Sequence, residues 1–391
     1  MSKAHLARRT ANISPFRVMA LLAEARQMEA EGRDIIHLEI GEPDFPTAKA
    51  INQAGITTLE KGLTHYTPAL GLPELRCAIA DSYGAANPGM ESVVVTPGAS
   101  GALAVVFAAL LNPGDEVLMA DPGYPCNRHF VSLYDGVPQP ISVGPETDYQ
   151  LTAELIDQHW SDDKTVAVLL ASPSNPTGTL ITDDEMKAIA ECVHRRGGVL
   201  IVDEIYRGLV YEGGSNSVLA LAGEVFVVNS FSKYYGMTGW RVGWLVAPEA
   251  YRQVVDHLVQ NMFIAASTVG QYAALRALDD DVALELQRRR DIFAQRRDTL
   301  LPALRQLGFT IPASPQGAFY IYADCSSFTD DSEGFASGLL HETGVAITPG
   351  TDFGHYRANE HVRFSYATDI EQLHKAVTRI GDYLAEGVIK D

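Results

Sequence analysis

Cysteine is scarce in this sequence: Cys77, Cys126, Cys192 and Cys325 lie far apart, with no C-x-x-C pair and no His/Cys cluster at metal-ligand spacing. That argues against a disulfide framework or a metal centre, and we read the four as reduced thiols in a reducing cytosol. Positive charge is also short, with 30 Lys and Arg against 49 Asp and Glu, a formal charge of −19 and no polybasic run. Neither nucleic acid nor an anionic membrane surface is an expected partner; small molecules are. The longest obvious apolar run, Gly101 to Leu111, falls well short of the about 20 residues needed to span a bilayer. The opening MSKAHLARRT leads into no apolar h-region, so no secretory signal is expected. Internal repeats and low-complexity linkers are absent as well. The expectation is a soluble, cytoplasmic, globular protein.

What the sequence does contain is core. Its 391 residues are 46% apolar, enough for two domains or one large domain with an appendage. Between residues 90 and 250 short β-branched runs recur, each followed by turn residues: Val93–Thr96, Val117–Ala120, Val166–Ala171, Val199–Val202, Val225–Asn229 and Val242–Val246. They read as buried strands. Helical sequence lies between several of them, including Ala102–Leu111 and the segment after Thr182, where Thr182-Asp-Asp-Glu185 fits a capping box. Alternation of this kind predicts an α/β fold, with a mostly parallel sheet sandwiched by helices. From Pro248 onward long Arg-, Leu- and Ala-rich helical sequence takes over, then a mixed region with strand-like Ala318–Tyr322 and His361–Tyr366. This predicts a second, smaller α+β domain. A helix over Val18–Glu31 and a strand over Ile35–Ile40 are expected to pack with it, making that domain discontinuous.

In open α/β sheets ligands gather beyond the carboxyl ends of the strands, so the residues just past each strand are the ones to compare. After the first comes Pro97-Gly-Ala-Ser-Gly-Ala102, a small-residue turn opening a helix whose free N–H groups suit an anion. Next is Asp121-Pro-Gly-Tyr-Pro125, where Tyr124 between two prolines is either a stacking plate or a packed turn residue. Ser172-Pro-Ser-Asn-Pro-Thr-Gly178 offers the amide of Asn175, or is only a turn. Asp203 is a helix cap or a buried carboxylate awaiting a cation, with the Tyr206 hydroxyl close by. Finally SFSKYYGMTGWR supplies the Lys233 amine, the Ser230 and Ser232 hydroxyls and the Arg241 guanidinium.

One ligand matches the whole collection: pyridoxal 5′-phosphate. Its aldehyde requires a lysine, its ring nitrogen a carboxylate, and its phosphate N–H groups, hydroxyls and an arginine.

At this point the chain resembles a known family, the class I and II aminotransferases of the aspartate-aminotransferase fold (fold type I). The resemblance rests on matches in order through nearly the whole chain: Gly41-Glu-Pro-Asp-Phe45, Tyr66-Thr-Pro68, Gly98-Ala-Ser100, Asp121-Pro-Gly-Tyr124, Ser174-Asn-Pro-Thr-Gly178, Asp203-Glu-Ile-Tyr206, Ser230-x-Ser-Lys233 with Gly239-Trp-Arg241, Pro349-Gly350 and Arg363-Phe-Ser-Tyr-Ala367. It implies Lys233 as the Schiff-base lysine and acid/base, Asp203 on the ring nitrogen, Asn175 and Tyr206 on the phenolic oxygen, and Tyr124 on the ring face. Phosphate contacts are implied for Ala99, Ser100, Ser230, Ser232 and Arg241, and for Tyr66 reaching in from the other subunit of a homodimer. Arg363 is implied to hold the substrate carboxylate, with Asn175 and the backbone near Gly41. The implied domains are an arm over 1–14, a small domain over 15–45 and 285–391, and a large cofactor domain over 46–284. Cis peptides are implied before Pro122 and Pro176.

The implied activity is ping-pong transfer of an amino group between an L-amino acid and a 2-oxo acid, linked to 2-oxoglutarate or pyruvate, with no donor specified. Ser100 stands where one dicarboxylate-using branch carries a lysine, which weakens an aspartate-specific reading. Arg17 and Arg128 are candidate anion readers or solvated surface; Phe16 and Phe319 are candidate pocket or core. Two alternatives stay open: a β-lyase on the same scaffold, in which loss of the α-proton precedes expulsion of a leaving group, and a non-catalytic ligand sensor.

Overall fold

The structure, a computed structural model, describes residues 6–214 and 216–386. In chain order its strands are β1 (Ile36–His37), β2 (Val93–Thr96), β3 (Glu116–Asp121), β4 (Val137–Ser142), β5 (Thr165–Ala171), β6 (Val199–Asp203), β7 (Val225–Ser230), β8 (Gly243–Val246), β9 (Tyr320–Asp324), β10 (Val345–Ala346), β11 (Thr348–Pro349) and β12 (His361–Ser365). Seven of them form one sheet in the order β2-β8-β7-β6-β5-β3-β4. Every pairing in it is parallel except those of β8, which runs against both β2 and β7.

The β-branched runs become strands because both faces of this sheet are buried. Side chains alternate across the pleat, so Val93 and Val95 join Leu118, Val168, Leu170, Leu200 and Val202 in one cluster. Val94, Val117, Met119, Leu169 and Ile201 fill the opposite one. Helix Gly98–Leu110 closes the second face with Leu103, Val106 and Phe107. Helix Asp183–Arg195 closes the first with Met186, Ile189 and Val193. The capping box expected there is only half formed. Thr182 Oγ1 does accept the Glu185 N–H, but the Glu185 carboxylate turns to the Ala153 N–H at 2.7 Å, tying two helices together instead.

Strand β4 was not expected from the sequence. Its Pro138 and Pro140 cannot donate to a ladder, and it is tolerated because it is the sheet's edge, paired on one side only with β3.

A second core lies beyond. Helix Asp280–Gln306, the antiparallel sheet β11-β12-β9 and helix Ile370–Ala385 bring Phe293, Leu300, Leu304, Ile321, Phe364 and Ile380 together. Strand β1 pairs in parallel with β10, so residues just after helix Arg17–Ala30 join the carboxyl-terminal part of the chain. Of the expected strand over 35–40, only Ile36–His37 forms a ladder. Helix Asp280–Gln306 belongs to both cores: Val282 and Leu286 pack under the large sheet, Phe293 and Leu300 in the second cluster. The boundary expected between 284 and 285 falls inside it. No helix of the described residues is long and apolar enough to cross a membrane.

Candidate active site

Sheet register brings the strand-end groups together. Thr96 and Ser230 both pair with Gly243, because β8 returns the chain to the edge from which β7 left. The turn after β2 and the stretch after β7 therefore meet. Contact is close: a Cβ on Gly243 would lie 2.6 Å from the Gly98 carbonyl carbon, and one on Gly98 (φ +73°) would lie 2.6 Å from Arg241 Nη2. Arg241 itself adopts the left-handed conformation at φ 55°. The first turn of helix Gly98–Leu110, the Ser232 hydroxyl and the Arg241 guanidinium thus border one end of a cavity of about 270 Å³. Unpaired helix N–H groups with a hydroxyl and a guanidinium make an anion site.

Farther in, Asp203 ends β6 beside Ala171 of β5. Its Oδ1 accepts the Ile205 N–H at 2.9 Å, and it has no ion-pair partner among the described residues. Burial raises its pKa to about 7, with neighbouring Glu204 adding to the rise and the Ile205 N–H and Lys233 opposing it. A buried carboxylate without a cation is costly, so this position suits a cationic ligand atom.

Lys233 Nζ donates to the Gly41 carbonyl. Desolvation lowers its pKa to about 8; Arg363 and Arg241 push the same way, while Glu42 and Asp203 oppose. An amine held near 8 is a usable nucleophile and base at neutral pH, which a surface lysine is not.

Arg363, on β12, is 3% exposed. Its Nη1 donates to Asn175 Oδ1 at 2.8 Å, and its Nη2 donates to the Glu39 carbonyl and to Thr348 Oγ1 at 3.2 Å. The guanidinium carbon sits 4.3 Å from the centre of the Tyr320 ring. Its Nε has no partner, a donor that a carboxylate in the cavity would satisfy. The Tyr206 hydroxyl lies 2.7 Å from that of Tyr320. Tyr124 borders the cavity, with Phe16 edge-on at 6.2 Å.

All but two of the catalytic, cofactor and substrate residues expected from the sequence line this cavity. One exception is Ser230: the last residue of β7 turns inward, 1% exposed, with Oγ 2.9 Å from Ser232 Oγ and 3.1 Å from the Val242 carbonyl. It stands behind Ser232 and not on the wall. The other is Tyr66, which is 81% exposed and outside the cavity. Phe319 is core, fully buried against Phe293, whereas Phe16 lines the wall. Neither candidate anion reader does: Arg17 pairs with Glu333, and Arg128 donates to the Asp352 carbonyl at 3.0 Å. Asp121–Pro122 and Asn175–Pro176 are cis, as is Ser172–Pro173.

Sequence reasoning missed Tyr320, Glu42, Met19, Ile40 and Leu103, all on the wall. Tyr320 sits in an apolar strand that reads as core. Its one trace is Gly41, where a Cβ would lie 2.3 Å from the Tyr320 hydroxyl.

A mostly parallel sheet whose carboxyl edge gathers an activated amine, a lone buried carboxylate and an anion cradle defines a fold-type-I transaminase scaffold. The chain belongs to the aminotransferase class I and II family, whose model matches residues 33–380, and whose members are pyridoxal-phosphate-dependent. It is 40% identical to the valine–pyruvate aminotransferase of Mycobacterium tuberculosis, covering 96% of this chain and 97% of that one. Identity to the probable aspartate/prephenate aminotransferase of Aquifex aeolicus is 35%, over 97% and 99%. Among solved structures, an aminotransferase from Mycobacterium tuberculosis matches with a TM-score of 0.95 at 38% identity, covering 98% of this chain and 100% of that one. The aspartate aminotransferase of Thermus thermophilus with maleate matches at 0.91 and 34%, covering 97% and 99%. The protein is an aminotransferase, acting on amino and 2-oxo acids.

Proposed function

We propose that the protein moves an amino group from an L-amino acid to a 2-oxo acid by a ping-pong cycle on bound pyridoxal 5′-phosphate. The observation that carries this reading is the uncompensated, buried Asp203 in one cavity with the activated Lys233 amine and the cradle of helix N-terminus, Ser232 and Arg241. When bound, the cofactor supplies an aldehyde that takes up the amino group of one substrate and passes it to the next.

The protein's own groups then divide the work. Ala99 and Ser100 N–H, Ser232 and Arg241 hold the phosphate, Asp203 keeps the ring nitrogen protonated, and Tyr124 covers the ring. Asn175 and Tyr206 hydrogen-bond the phenolic oxygen. Arg363 holds the α-carboxylate and thereby orients the α-C–H. Lys233 Nζ, partly neutral at pH 7, takes the α-proton.

A homodimer fits the apolar surface left open by helix Lys49–Glu60 and the segment just after it: Ile56, Leu59, Leu63 and Tyr66 are exposed. Tyr66 in such a dimer reaches the phosphate of the partner's site. The proposed division is an arm over 1–14, a small domain over 15–45 and 285–391, and a large domain over 46–284. Four free cysteines fit a reducing, cytoplasmic setting.

The test is spectroscopic. The purified protein should absorb beyond the aromatic region, borohydride should shift that band, and an amino acid should discharge it with release of a 2-oxo acid. A Lys233→Ala protein that kept both the reducible band and normal turnover would refute the reading. Pyruvate plus ammonia from cysteine conjugates, with no second 2-oxo acid, would favour the β-lyase instead.

A further inference from the structure

We propose that His37 and Glu39 form a positioning pair for the α-carboxylate site: Glu39 holds in place the backbone carbonyl that anchors Arg363, and it does so only while His37 carries its proton. The inference rests on the aminotransferase reading, since it takes Arg363 as the group that binds the α-carboxylate.

Arg363 needs an acceptor fixed in position. Its Nη2 donates to the Glu39 carbonyl, and that carbonyl also accepts the Thr348 hydroxyl at 3.0 Å, which in turn lies 3.2 Å from Nη2. Backbone bonds carry the chain as far as the preceding residue. The Leu38 N–H donates to the Ala346 carbonyl at 2.9 Å, and the Leu38 carbonyl accepts the Ser365 N–H at 2.7 Å. At Glu39 the β1–β10 ladder has ended, and the side chain takes over.

That side chain is a buried carboxylate with one cation. Glu39 is 0% exposed, its Oε1 lies 2.7 Å from His37 Nδ1, and its Oε2 has no partner. Residues 37 and 39 share a face because side chains alternate along an extended segment. Among the described residues the only ion pair made by Glu39 is with His37. Burying a carboxylate without a cation is costly, so the conformation of this segment depends on the imidazolium.

The surroundings of His37 favour its charged form. The hydrogen bond to Glu39 raises its pKa above the usual 6.5, burial opposes the rise, and Glu29 of helix Arg17–Ala30, 3.2 Å from Nε2, adds to it. The paired strand β10 contributes Val345 and Ala346, neither titratable. Helix Ile370–Ala385 packs on β10 and brings Lys375 and Arg379, both paired with Asp34; the helical turn before β10 brings His341, paired with Glu24. With its pKa raised, the pair is complete below 6.5 and is lost as pH rises through the higher value of the folded protein.

The test follows propanoate binding to the holoenzyme by calorimetry, from about pH 6 to about pH 9, in the wild-type and Glu39→Gln proteins. Propanoate has no amine to titrate, and Lys233, common to both proteins, cancels in the ratio of their dissociation constants. We expect Glu39→Gln to bind about fivefold more weakly at the acid end, the usual size of a coupling relayed through packed neighbours, and the ratio to fall toward one at the alkaline end. In the half-reaction of an amino acid at the acid end, KM should rise about fivefold with kcat within about twofold. A ratio of one at the acid end would overturn the pair. So would a loss equal at every pH, because a merely structural glutamate weakens binding alike whether or not His37 is charged. His37 is partly exposed, so His37→Gln serves where Glu39→Gln does not fold; it should show the same loss at the acid end, and wild-type binding there would overturn the pair as well. The two readings fail separately. If the ratio follows pH as expected but no amino acid discharges the cofactor band, the aminotransferase reading falls and the pair stands. If transamination proceeds while the ratio is one throughout, the pair falls and the aminotransferase stands.

Discussion

The polar and the apolar residues of the cavity wall are positioned by different means. Asp203 and the stretch holding Ser232, Lys233 and Arg241 end or follow strands of the large sheet, so their mutual positions are set by hydrogen-bond register: Thr96, Gly243 and Ser230 in one row, Ala171 beside Asp203 in another; Arg363 and Tyr320 come from β12 and β9 of the smaller sheet. The apolar wall residues come from pieces distant in sequence, Met19 and Ile40 from the amino-terminal part and Leu103 from the helix after β2. Chemistry that must be accurate to a fraction of an ångström is anchored in the sheet. Met19 and Ile40 lie on a helix start and a segment next to a two-residue ladder, parts that can change without disturbing the sheet.

Substitutions among the polar groups should therefore cost far more than those among the apolar ones. Lys233→Ala should lower kcat by about 10⁴-fold, because in the proposed cycle one amine serves as both imine partner and base; steady-state turnover with the best donor checks this. Arg363→Ala should cut kcat/KM by about 10²- to 10³-fold, mainly through KM, since it leaves the Asn175 carbonyl and a substrate carboxylate without their shared cation. The apo-protein should take up pyridoxal phosphate faster as pH rises. With Lys233 near 8, the free amine falls about tenfold per pH unit below that value, so stopped-flow uptake at pH 6 should be about 100-fold slower than on the alkaline plateau. Asp203→Asn should lower kcat by about 10- to 100-fold, the worth of a charge-assisted hydrogen bond, with a weaker hold on the cofactor visible by dialysis. Smallest is Tyr320→Phe, which keeps the ring under Arg363 but removes the hydroxyl 2.7 Å from Tyr206. Here kcat should fall about fivefold with KM nearly unchanged.

The same contrast explains what could be read from the sequence. Buried parallel strands announce themselves as β-branched runs, and polar residues directly after such runs have few reasons to be there, so Asp203, Asn175 and Lys233 stood out. Ser230 and Ser232 looked alike because composition does not tell which way a side chain leaves a strand end; the structure buries the first behind the second. Tyr320 and Leu103 were silent, since a residue in an apolar strand or helix has the same signature whether it faces core or cavity. Strand β4 was hidden by its prolines, which are compatible with a strand only at an edge that the sequence does not mark.

The reversed direction of β8 has a consequence for how this enzyme can vary. A parallel crossover after β7 would have carried the chain to the far edge of the sheet; the antiparallel return keeps Lys233 and Arg241 on one short loop, with Ser230 and Gly243 paired at its base. On the proposed reading, that loop would act as a ruler between the aldehyde and the phosphate of a single ligand. Side chains along it can be exchanged one at a time, but inserting or deleting a single residue between Lys233 and Arg241 alters the span itself, and both ends lose their grip together.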